Sequence, residues 1–106
     1  MHARVVTATI DPSRTSQFHS TVSSQAEPII RSQPGFIELI SLTSDSDPSR
    51  VVAITLWRNE SDLENYSNTT SQKVVDLLSP YLTSQPKIET FSVDTDTAKK
   101  LSASAA

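Results

Sequence analysis

The 106-residue sequence predicts an α+β sandwich, one four-stranded antiparallel sheet with two helices on one face. Three observations predict it. Strand-like and helix-like stretches alternate in the order β-α-β-β-α-β, the split βαβ plan of a ferredoxin-like sandwich. Two of the strands are apolar on both sides, so the sheet face without helices is expected to be covered by the sheet of a second copy. The length suits one domain, in the range where about two thirds of the unfolded chain's surface can be buried.

Residues 3–10, Ala-Arg-Val-Val-Thr-Ala-Thr-Ile, are rich in β-branched side chains and read as the first strand. Asp11-Pro12 supplies an N-cap acceptor followed by proline at the first helical position. Phe18, Val22, Ala26 and Ile29 recur at three- and four-residue spacing, so 12–32 reads as an amphipathic helix. Pro28 removes one intrahelical donor, and a kink or restart is expected near 25–28. Gln33-Pro34-Gly35 closes the helix, with positive φ expected at the glycine.

Phe36–Thr43 and Val51–Arg58 read as a hairpin joined by the polar turn Ser44-Asp-Ser-Asp-Pro-Ser49. Asp45 and Asp47 serve there as turn formers. Glu38, in mid-strand, fits an edge position best. Ser61-x-x-Glu64 has the form of a capping box and is expected to open the second helix. Its apolar face runs through Leu63, Tyr66, Thr70, Val74, Leu77 and Tyr81, with Pro80 loosening the last turn. Pro86–Val93 supplies the fourth strand. The expected division is a single domain over 1–94 and a polar tail over 95–106.

Composition excludes several functions. There is one glycine, Gly35, so neither a P-loop nor a dinucleotide-binding turn can be built. The chain has no cysteine, which removes disulfides, thiolate metal sites and cysteine nucleophiles. With two histidines, His2 and His19, no metal centre is expected. A net charge of −3 argues against a nucleic-acid module, and no apolar run is long enough for a membrane helix. The first residues lead straight into a strand without a signal-peptide h-region, so a cytoplasmic protein is expected. Asn59-Glu-Ser61, Asn65-Tyr-Ser67 and Asn68-Thr-Thr70 match glycosylation sequons, which carry no meaning in that compartment.

The third strand carries Val51, Ala53, Thr55 and Trp57 on one face and Val52, Ile54 and Leu56 on the other. The first strand behaves alike. Two helices cover one face only, so a homodimer stacked through the second face is expected from pattern alone.

The Gln33-Pro-Gly-Phe36 turn, the hairpin ending in Leu56-Trp57, the polar helix start Asn59-Glu-Ser-Asp62 and the strand Pro86-x-Ile-Glu-x-Phe-Ser-Val93 have a joint meaning. Together they resemble the antibiotic-biosynthesis monooxygenase family of dimeric α+β barrels, over about residues 3–94. The resemblance implies a pocket between sheet and helices. There a cofactor-independent monooxygenase would oxidise an aromatic or polyketide-like molecule, with molecular oxygen as co-substrate. Once deprotonated, the substrate itself supplies the electrons. No cofactor is implied. The haem-degrading branch needs a histidine on the second helix, and residues 61–82 hold none.

Under this resemblance the catalytic candidates are Trp57 as an aromatic wall, Tyr66 as a hydroxyl that can bond a phenolate, and His19 as a proton acceptor. Phe18, Asn65, Asn68 and Tyr81 are the substrate-binding candidates. Each also has an ordinary structural role: core packing for Trp57, Tyr66, Tyr81 and Phe18, and a helix surface for Asn65, Asn68 and His19. Two other functions fit the same barrel, a non-enzymatic dimeric small-molecule-binding or stress-response protein, and an isomerase or cyclase.

Overall fold

Strand pairing places the first and last strands side by side in one half of the sheet and the hairpin in the other, with the last strand at the edge. The computed structural model describes residues 1–97, so the expected tail lies outside the described residues from position 98 on. Four strands, β1 (His2–Thr9), β2 (Phe36–Thr43), β3 (Arg50–Trp57) and β4 (Lys87–Ser92), form one antiparallel sheet in the order β2-β3-β1-β4. Helices α1 (Thr15–Thr21), α2 (Glu27–Arg31), α3 (Glu60–Thr69) and α4 (Ser71–Leu78) pack on one face. This is the predicted ferredoxin-like α+β fold.

Register decides which side chains face the helices. Arg4 pairs with Thr55, Val6 with Ala53 and Ala8 with Val51, so these six share the helix side. Val5 pairs with Ile54, Thr7 with Val52 and Ala3 with Leu56 on the opposite side. Ile40 and Leu42 of β2 and Phe91 of β4 continue that second face, where they are 38%, 46% and 45% exposed. The two-faced pattern read in β1 and β3 is therefore real, and one of its faces carries no helix among the described residues.

A β-bulge between Phe36 and Glu38 changes one expectation. Simple alternation puts Phe36, Glu38 and Ile40 on one face. The extra residue instead turns Phe36 toward the helices, edge-on to Trp57 with ring centroids 6.0 Å apart. Glu38 and Ile40 stay on the far side. Glu38 does lie on an edge strand.

The first helical segment is broken as Pro28 requires, but the break precedes the proline. A 3₁₀ turn (Pro12–Arg14), capped by Asp11, leads into α1. A π turn over Val22–Ala26 then joins α1 to α2. The Glu27 N–H reaches the Val22 carbonyl, five residues back. Ser23 and Ser24 donate their hydroxyls to carbonyls of the preceding turn, which further loosens the α ladder. The π turn also corrects the buried face. Ile30, not Ile29, is the fully packed residue after Ala26.

The second helical segment is two helices rather than one. At Thr70 the backbone leaves helical geometry (φ −125°, ψ −30°), and the Thr70 hydroxyl bonds Gln33 Oε1 at 3.2 Å. Thr69 and Ser71 donate hydroxyls to carbonyls four residues back. The start of α3 also differs from the capping box. Asn59 is the N-cap, its Oδ1 accepting from the Asp62 N–H at 2.9 Å. Asn59 and Asp62 thus do the capping two residues before the expected Ser61–Glu64 pair.

One corner ties these parts together. Gly35 adopts φ +81°, and a Cβ there would collide with the Asp62 carboxylate. The Gly35 carbonyl accepts from the Arg58 N–H at 2.8 Å, and the Arg58 guanidinium bonds Asp62 at 3.0 Å.

Candidate active site

The helices do not close completely on the sheet. Ala26, Ile30, Trp57, Leu63, Tyr66 and Val74 form one core cluster, and Ile10, Phe18 and Val51 another. A cavity of about 120 Å³ is lined by members of both. Its floor is the helix side of the sheet, with Arg4, Val6 and Ala8 of β1, Ala53 and Thr55 of β3, and Leu39 and Ser41 of β2. Small residues at 8, 41 and 53 leave the space. Phe18, Val22, Ala26 and Ile30 come from the first helical segment, and Tyr66, Ser71, Val74 and Leu78 from the second.

Three of the predicted site residues meet at this cavity: Phe18, His19 and Tyr66. Phe18 is buried, and His19 is exposed beside it, edge-on at 5.3 Å. Tyr66 is 2% exposed, and burial pushes its phenol above the ordinary pKa, with Arg4 acting the other way. The other four stand elsewhere. Trp57 is fully buried behind the wall, stacked on Tyr66 with centroids 4.8 Å apart. Its Nε1–H donates to Thr55 Oγ1 at 2.9 Å. Tyr81 accepts a hydrogen bond from the Thr21 hydroxyl at 3.3 Å. Asn65 and Asn68 lie on the exposed side of α3.

Sequence reasoning missed Arg4. This guanidinium is 6% exposed and lies over the Tyr66 ring, 5.3 Å from its centroid. Its Nε is buried with no hydrogen-bond partner among the described residues. Desolvation pulls its pKa below the ordinary arginine value, partly offset by Tyr66. The signal was present in the strand's period of two, since position 4 shares parity with the apolar Val6, Ala8 and Ile10.

The lining contains no Asp or Glu, and no group of three potential metal ligands exists among the described residues. The site can therefore enclose an apolar ring and offer it a hydroxyl and a cation. It has no carboxylate to act as a base. No described helix is long and apolar enough to cross a membrane.

Comparisons agree with this geometry. The family profile for antibiotic biosynthesis monooxygenase matches residues 1–75. No curated protein matches the chain. Among solved structures, SnoaB from Streptomyces nogalater, described as a cofactor-independent oxygenase, superposes with a TM-score of 0.77 at 16% identity, covering 92% of this chain and 96% of that one. The ActVA-Orf6 monooxygenase of Streptomyces coelicolor, bound to nanaomycin D, gives 0.74 at 23% identity, covering 90% and 88%. A conserved protein from Methanosarcina mazei gives 0.71 at 19%, covering 86% and 91%. At these identities the structural likeness speaks for the fold.

Proposed function

This chain belongs to the antibiotic biosynthesis monooxygenase family, and we propose that its cavity hosts cofactor-independent oxidation of a small aromatic or polyketide-like compound. The observation that carries the reading is the cavity itself, an apolar space lined by the buried Tyr66 together with Phe18 and His19. A core built only for stability would fill that space, because voids forfeit packing.

In such a reaction an acidic C–H or O–H of the substrate is lost, and the resulting anion reduces dioxygen. A methylene becomes a carbonyl: one oxygen atom enters the substrate and the other leaves as water, with both hydrogens coming from the methylene. The balance requires no external reductant. The protein's part is to exclude water, align the ring and stabilise the anion. Tyr66 is the group placed to bond the developing oxyanion. His19, at the mouth, is the proton acceptor nearest the solvent. Phe18 flanks the ring.

At about 120 Å³ the cavity is smaller than the roughly 300–1,000 Å³ of drug-sized pockets, so a one-ring substrate fits it without rearrangement. We further propose a homodimer joined through the uncovered sheet face, supported by the exposure of Ile40, Leu42 and Phe91 there.

The test is oxygen uptake by the purified, metal-free protein with one-ring aryl substrates that carry an acidic methylene. Uptake above the spontaneous rate, lost in Tyr66→Phe, supports the oxygenase reading. Ligand binding without uptake would favour the non-enzymatic binding protein.

A further inference from the structure

We propose that Arg4 makes the cavity selective for a planar organic oxyanion, a carboxylate or an ionised phenol or enol, held by its guanidinium. The inference rests on reading the cavity as a ligand site, and goes beyond it by fixing the ligand's charge. Four observations meet here. Arg4 is 6% exposed, its Nε is buried with no hydrogen-bond partner among the described residues, and it lines the cavity. No lining residue is acidic.

A buried guanidinium is normally paired, since an uncompensated charge in an apolar setting is costly. The Tyr66 ring, 5.3 Å away, supplies a cation–π contact but no hydrogen-bond acceptor in its plane. The Arg4 Nε–H is therefore left for an acceptor that the described residues do not supply. A guanidinium is a rigid planar fork, matched by a carboxylate through two parallel N–H···O bonds and by a phenolate or enolate oxygen through one or two. Arg4 also lies on the helix side of the sheet, paired with Thr55. A second copy stacked on the opposite side would therefore not provide the missing anion.

Four single-ring probes separate the possibilities. Benzoate and 4-nitrophenolate carry the charge; benzamide and 4-nitroanisole are their neutral counterparts. Calorimetric titration of the full chain should show each anion that fits bound about ten-fold or more tightly than its neutral partner. In Arg4→Met that preference should vanish while 4-nitroanisole binding is unchanged. Preference within the benzoate pair alone identifies a carboxylate, and within the nitrophenolate pair alone an ionised hydroxyl. Should Arg4→Met fail to fold, the wild-type Arg4 Nε–H resonance gives the answer. It should move on titration with the bound anion. Equal binding of anion and neutral partner, a preference that survives in Arg4→Met, or an unmoved Nε–H signal overturns the role of Arg4 and leaves the ligand site standing. Absence of binding by all four probes overturns both.

Discussion

The indole N–H of Trp57 is bonded to the hydroxyl of Thr55, two residues back on the same strand, at 2.9 Å. The donor of the one tryptophan is thereby consumed inside the protein, while its ring supports Tyr66 from behind. Trp57 is stacked on Tyr66, which lines the cavity, and does not line it itself. Trp57→Phe should cost about 1–3 kcal/mol of stability, as the missing ring leaves a void. Thr55→Val should cost about 1–3 kcal/mol by leaving the buried indole N–H unpaired. Urea denaturation of both variants checks the pair. An unchanged midpoint in Thr55→Val would contradict the coupling.

Gly35→Ala should be strongly destabilising. The residue sits at φ +81°, where L-residues are strained, and the new methyl would meet the Asp62 side chain. Strain of this kind is worth about 1–3 kcal/mol. Displacing Asp62 also disturbs its bond to Arg58 and the capped start of α3. Gly35→Ala,Asp62→Ala removes the collision, so it should recover part of the melting temperature that the single substitution loses.

Ile54→Lys places a charge in the centre of the uncovered sheet face, opposite Val5 and Ile40. Light scattering of the parent should give about twice 11.6 kDa, and the variant should dissociate or unfold, because its ammonium would be buried without a partner. A compact parent monomer at micromolar concentration would refute the dimer.

One helix cap and one hairpin-turn carboxylate give a pH dependence. Asp11 is held below the ordinary carboxylate value by hydrogen bonds from the Ser13 backbone and hydroxyl, and Asp47 likewise by Ser49. A depressed folded pKa means stability that is present above the unfolded value, about 4, and lost as pH falls through the folded one. Asp11→Asn and Asp47→Asn should therefore be less stable than the parent near neutrality. The difference should shrink on acidification below about pH 4. Denaturation curves at several pH values test this, and a constant difference would count against it.

Much of this was legible in the sequence because periodicity reports burial. The element order, the hairpin, the restart at Pro28 and the two faces of β3 all follow from side-chain spacing. What escaped depended on single insertions and on tertiary partners. A β-bulge reversed Phe36, and a π turn exchanged Ile29 for Ile30. The bulge leaves no local compositional mark, and Pro28 with Ser23 and Ser24 marks a break without fixing its type. Asn59 rather than Ser61 capped α3, since two acceptable caps lay within three residues and the Gly35–Arg58 contact fixed where the chain turned. In the site, Tyr66 and Phe18 were found by helical spacing. Arg4 has the parity of Val6, Ala8 and Ile10, but its lack of a partner among the described residues is visible only in the tertiary structure.

The π turn has a mechanical consequence. Phe18, Val22, Ala26 and Ile30 all line the cavity at a uniform step of four residues. In a continuous α-helix each such step drifts by about 40°, so the four could not stay aligned across three steps. The wider turn absorbs the drift, like a leap day inserted to keep a calendar in phase. Phe18 and His19 on one side of it and Ile30 on the other are thus phased independently. Deleting one residue within Val22–Ala26 would swing the former pair by about 100° relative to α2. The lip of the cavity would then carry a different set of side chains while the sheet beneath stayed as it is.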